Sequence, residues 1–198
     1  MRLFVALDLE EEIRRGVARF IEDLRELAPQ ARWVNVESLH VTLKFIGETS
    51  DSKVKEVETA LSQVRGAETV LQFRSCGFFP TAKASRVFWI GIESATLAQL
   101  AKTVEETLAT VGISEEKREY SPHLTLARAP GGSGAPGWRK GDGSNRVFAK
   151  LQERVAKSRV PEFGSMIARE FFLYRSELTR AGARYTKIAR FALHAPGE

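Results

Sequence analysis

Apolar and polar positions along the 198-residue chain follow two periods that replace one another several times. Arg2–Leu9 reads as a first strand. Glu10–Leu27 then sets Ile13, Val17, Phe20, Ile21, Leu24 and Leu27 at helical spacing, and Pro29 stops the helix. Arg32–Val34 predicts a short strand and Leu39–Ile46 a longer one, closed by Gly47. Asp51–Val64 turns Val54, Val57, Leu61 and Val64 to one face, with Ser50 or Asp51 as its cap. Thr69–Phe79 and Arg86–Ile92 are β-rich runs separated by Pro80 and a polar turn. Thr96–Val111 predicts a third helix ended by Gly112, Pro122–Ala127 a strand, and Arg146–Arg159 a fourth helix. Phe163–Leu178 and Arg184–Leu193 read as a closing strand pair around the turn Thr179–Ala183.

Strands outnumber helices, and several adjoin without a helix between them. That order predicts an α+β fold of mostly antiparallel sheet, not a doubly wound parallel one. Strand, helix and a further strand of the same wording recur in both halves. The recurrence predicts one domain over residues 1–198, built as two pseudo-symmetric lobes with helices on the outer faces. Ala129–Asn145 departs from both periods. It holds six of the chain's 15 glycines and two prolines, and reads as a long loop.

The repeated wording is His40-Val41-Thr42-Leu43 and His123-Leu124-Thr125-Leu126, 83 positions apart. In a strand each His shares a face with its Thr, while Val41, Leu43, Leu124 and Leu126 point the other way, into a core. Each His alone is more readily a structural residue. Two of the chain's three histidines in one pattern are not so easily dismissed. The third, His194, reads as a surface or strand-end residue.

Composition narrows what the pattern does. Net charge is +5 and the pI about 9.5, which suits a polyanionic partner such as RNA or DNA and equally a basic enzyme without one. Cys76 is the only cysteine, so no intrachain disulfide is expected, and a reducing cytoplasm is. It lies in an apolar run and reads as a core residue. The opening MRLFVALDLE reads as a strand, not a signal peptide, and no apolar run approaches membrane-spanning length.

Two imidazoles that titrate near neutrality suit general acid–base chemistry, one donating a proton while the other accepts one. Thr42 and Thr125 can hydrogen-bond a phosphoryl oxygen. No Asp, Glu or Cys stands at ligand spacing beside either motif, so no metal or other cofactor is expected. Lys44 shares strand parity with His40 and is a candidate for the cleft. Arg128 has the opposite parity to His123 and reaches the cleft only if the strand ends or bulges there. Phe45, Phe78, Phe79, Trp89 and Tyr185 are candidate stacking surfaces, most of them more readily core.

RLFVALDL, RWVNVESLHVTLKFIGE, GFFP, RVFWIGI, SPHLTLAR and LYRSEL…GARYTKIARFAL together resemble the two-histidine (2H) phosphoesterases, within them the bacterial LigT/ThpR-type RNA 2′,3′-cyclic phosphodiesterases. The resemblance implies a bilobal fold with its active site between the lobes. It implies hydrolysis of RNA 2′,3′-cyclic phosphate ends to 2′-phosphomonoesters. His40 would be the proton donor, His123 the proton acceptor, and Thr42 and Thr125 the phosphate holders. The family's His-x-Thr-x-x-Arg puts Arg128 in the cleft. The expected partner is RNA ending in a cyclic phosphate, with small cyclic nucleotides as further candidates, no membrane, and a monomeric state. A 2′–5′ RNA ligase using the same groups, or a non-catalytic module that binds RNA ends, are the alternatives.

Overall fold

The computed structural model describes residues 1–81, 83–130, 146–179 and 182–194. The predicted loop Ala129–Asn145 lies almost wholly outside them. The elements are β1 (Arg2–Leu7), α1 (Glu11–Leu24), β2 (Arg32–Trp33), β3 (Val41–Glu48), α2 (Asp51–Leu61), β4 (Thr69–Phe79), β5 (Val87–Glu93), α3 (Leu97–Ala109), β6 (His123–Arg128), α4 (Ala149–Lys157), β7 (Glu162–Ala168), β8 (Glu170–Thr179) and β9 (Gly182–Ala192).

They form two sheets, in the orders β3-β1-β8-β9 and β2-β6-β5-β4-β7, with antiparallel neighbours throughout. The α+β class, the antiparallel sheets and the two-lobed plan are as the sequence predicts. The strands β3-β1-β8-β9 correspond to β6-β5-β4-β7. Ala6 opposite Thr42 in one sheet matches Trp89 opposite Thr125 in the other.

One predicted strand is two. The run Phe163–Leu178 divides at Arg169, so that β7 edges the second sheet beside β4 while β8 enters the first between β1 and β9. The burial pattern changes at the same point. Met166 and Ala168 are buried alternately on an edge strand, whereas Phe171, Phe172, Leu173 and Tyr174 are buried in succession on an interior one. Both patterns read as strand, which hides the change of sheet.

The inner faces of both sheets and the apolar sides of the helices make one core. It joins Val5, Leu7, Val41 and Leu43 to Phe73, Phe88, Ile90, Leu124 and Leu126, with Ile13, Val17 and Ile21 from α1 and Leu97, Val104 and Leu108 from α3. Each such side chain contributes about 1.5–3 kcal/mol of burial free energy. Phe4, Ala6, Phe172 and Tyr174, with Tyr185, make a small separate cluster on the other face of the first sheet. Among the described residues no helix is long and apolar enough to cross a membrane.

The corresponding face of the second sheet is shaped by a glycine of β4. A Cβ on Gly77 would lie 2.4 Å from Cζ2 of Trp89, so the indole lies across a gap in β4 that only glycine leaves. Gly77→Ala is expected to push the indole off the sheet beside Thr125. A loss of about 1–3 kcal/mol, the usual range for overpacking, should appear as a lower urea midpoint at unchanged slope.

Candidate active site

Each motif strand carries one extra residue at the same place. Along β3, Thr42 pairs with Ala6 and Lys44 with Val5, which leaves Leu43 unopposed. Along β6, Thr125 pairs with Trp89 and Ala127 with Phe88, which leaves Leu126 unopposed. A bulge of one residue reverses the facing of everything after it. Before it, His and Thr face the cleft and the apolar residues face the core. After it, Lys44 and Ala127 turn inward while Phe45 and Arg128 turn to the face of the histidines.

This corrects the expectation for Lys44. It is 5% exposed, its ammonium donates to the Glu105 carboxylate on α3, and it also donates to the Ser114 carbonyl at 2.7 Å. Glu105 in turn accepts from the Glu116 backbone N–H at 2.6 Å. Lys44 is therefore a tie between β3 and the loop that leads to β6, not a cleft cation. Arg128 goes the other way: past the bulge it turns to the face that carries His123, and its positive charge lowers the pKa of both His40 and His123. Phe45, its counterpart in the first lobe, is 62% exposed.

Both imidazoles are held alike. His40 Nδ1 donates to the Ser38 carbonyl and His123 Nδ1 to the Ser121 carbonyl, each at 2.7 Å. A carbonyl only accepts, so Nδ1 carries a proton in both rings and Nε2 is the nitrogen left for chemistry. The anchors stand two residues before each His, so the repeat is Ser-x-His-x-Thr-x, and the paired serines are the signal in the sequence that finds them. Tyr120 donates its hydroxyl to the Thr42 carbonyl at 2.9 Å and so fastens the approach to the second motif onto the first.

The ring neighbours differ between lobes. His40 lies in an aromatic recess, with Phe4 at 4.7 Å, Tyr185 edge-on at 5.1 Å and Tyr174 at 6.2 Å between ring centres. His123 meets Phe79 edge-on at 5.1 Å, and Phe79 stacks on Trp89. Phe78 packs instead on Phe88 and Phe148 in the core.

Burial lowers both imidazole pKa values. For His40 the value falls to about 4: burial dominates, Arg128 and Arg14 add to it, and the Ser38 carbonyl and Asp8 oppose it. For His123 burial again leads, opposed by the Ser121 carbonyl and reinforced by Arg128. Both rings are thus neutral at pH 7 in the free protein. Cys76 is half-buried and its thiol is pushed up to about 11 by burial, so it stays protonated and core-like. His194 is exposed and forms an isolated bridge with Ala67. Among the described residues no three His, Cys, Asp or Glu side chains cluster as metal ligands would.

Lys44→Met should act on stability, not on substrate binding. Glu105 keeps some contact with water, so the loss is expected at about 2 kcal/mol, below that for a fully buried pair. Chemical denaturation paired with steady-state kinetics checks it, with KM changed by less than about twofold.

The description "LigT like Phosphoesterase" fits residues 7–89 of the chain. A protein of Methanothermobacter thermautotrophicus named RNA 2′,3′-cyclic phosphodiesterase is 35% identical over 98% of this chain and 99% of its own. The Escherichia coli protein of the same name is 31% identical over 97% and 96%. A crystal structure of E. coli LigT complexed with 3′-AMP superposes with a TM-score of 0.74 at 29% identity, covering 97% of each chain. With paired His-x-Thr-x strands in two matching sheets and relatives of this closeness over their full length, the chain belongs to the LigT-like branch of the 2H phosphoesterases.

Proposed function

We propose that the protein hydrolyses the 2′,3′-cyclic phosphate at the end of an RNA to a 2′-phosphomonoester. The observation that carries this reading is the pair of imidazoles, each tied at Nδ1 and open at Nε2, with one guanidinium acting on both. Water attacks phosphorus as His123 Nε2 takes its proton. The bond from phosphorus to the 3′ oxygen breaks, and His40 supplies the proton that this oxygen needs. Thr42 and Thr125 donate hydrogen bonds to the non-bridging oxygens, and Arg128 balances the charge that grows on them. Phe45, exposed on the same face, offers a base a surface to stack on.

The names carried by the relatives and the 3′-AMP in the E. coli structure support a nucleotide phosphate as ligand. The electrostatics add a condition. A neutral His123 is ready as a base, but a neutral His40 must gain a proton before it can serve as an acid. The cyclic phosphate is an anion, and bringing it beside His40 favours the imidazolium. Substrate therefore loads the acid.

Two results follow. His40→Ala and His123→Ala should each reduce kcat by about 100- to 10,000-fold while the circular dichroism spectrum stays that of the wild type. Full turnover in either variant would sink the reading. The pH profiles should both be bells, with the limbs of kcat/KM, which report the free enzyme, lying at lower pH than those of kcat. Coincident profiles would contradict substrate loading of the acid.

A further inference from the structure

The two motifs are nearly the same, and the mechanism needs them to differ. The difference lies on the neighbouring strand. In the first lobe the pairing ends with Leu7 opposite Val41, and carrying that register one residue past the end of β1 sets Asp8 across from His40. In the second lobe Ile90 pairs with Leu124, and the next residue, Gly91, pairs with His123. Asp8 and Gly91 thus occupy matching positions across from the two histidines. The glycine is obligatory: a Cβ there would lie 2.6 Å from Ser75 Oγ and 2.8 Å from the Arg74 carbonyl. No acidic side chain can stand across from His123.

Asp8 belongs to a built device. Arg14 of α1, only 8% exposed, spans two groups with its guanidinium: Nη2 donates to Asp8 Oδ1 and Nη1 to the Val36 carbonyl, both at 2.7 Å. Val36 opens the short 3₁₀ turn Val36–Ser38, whose last carbonyl holds the His40 ring. Asp8 Oδ1 also accepts from the Leu9 N–H at 2.9 Å, and Oδ2 accepts from Lys187 of β9, whose ammonium lies 4.1 Å over the Phe172 ring.

We propose that Asp8 and Arg14 are positioning residues for His40: the guanidinium clamps the turn that aims the ring, and the carboxylate gives His40, but not His123, an anionic neighbour that marks it as the acid. This rests on the hydrolase reading for its meaning, but its evidence is the geometry. The titratable and polar groups around His40 are Asp8 just past β1, Arg14 from α1, the Ser38 carbonyl, Tyr174 from β8, Tyr185 from β9 and Arg128 from β6, with Lys187 of β9 reaching Asp8. Of these only Asp8 is an anion at neutral pH. Burial of the ring works against the imidazolium; Asp8 and the Ser38 carbonyl work for it.

The test uses two variants with opposite expected signs. Asp8→Asn keeps the shape and removes the anion, so the His40 pKa falls and the alkaline limb of kcat moves to lower pH. Lys187→Met removes a cation that offsets Asp8, so the His40 pKa rises and the limb moves to higher pH. Shifts of about half a unit to one unit are expected, read by NMR titration of the three histidines in the free protein and by the kcat profile. His123 should titrate unchanged in both. Lys187 is 43% exposed, so its variant decides the matter if Asp8→Asn does not fold. A His40 pKa that stays fixed in either folded variant, or moves the same way in both, overturns the proposal. The effect of His40→Ala on turnover tests the hydrolase reading separately and stands whichever way the titrations fall.

Discussion

The bond from each imidazole Nδ1 to the carbonyl two residues before it is the constraint on which the site depends. It fixes the tautomer, so that Nε2 is the reactive nitrogen in both lobes. It also fixes the ring against rotation without using any side chain, which leaves the Thr two residues on free to face a ligand. The same contact to the carbonyl two residues back is made twice, once to Ser38 and once to Ser121. Everything else positions that unit: the core holds Val41, Leu43, Leu124 and Leu126 from behind, and Tyr120 fastens one motif to the other.

The bulge after each Thr is the second constraint. Without it, Arg128 would point into the core and Lys44 toward the cleft. With it, a buried ammonium ties α3 and its following loop to β3, and a guanidinium turns to the face of the imidazoles. One inserted residue thus assigns one cation to the scaffold and the other to the site. Because the insertion is at the same place in both strands, the two lobes keep their likeness while Phe45 and Arg128 give their cleft faces different chemistry.

Much of this was legible in the chain. Alternation located both motif strands and put each His with its Thr. Helical spacing located the core sides of α1 and α3. The sequence misled where the rule of alternation stops being local. Strand parity puts Lys44 on the cleft face, and it is not there, because a bulge depends on how two strands register and a single strand's residues do not announce it. The run 163–178 reads as one strand because an edge strand and an interior strand both look apolar, and only the sheets they join tell them apart. Asp8 and Arg14 were unreadable for a related reason. Their use depends on Leu7 pairing with Val41 and on a turn 22 positions beyond Arg14. Long-range pairing thus supplied what periodicity could not.

The reaction on which the site's reading turns is attack of water on a 2′,3′-cyclic phosphate with breakage of the bond to the 3′ oxygen. The regiochemistry of the product tests it most directly. A short RNA ending in a 2′,3′-cyclic phosphate, incubated with the protein in oxygen-18 water, should yield a 2′-phosphomonoester carrying one heavy oxygen and a free 3′-hydroxyl. A 3′-phosphate, or an untouched cyclic end, would contradict the account.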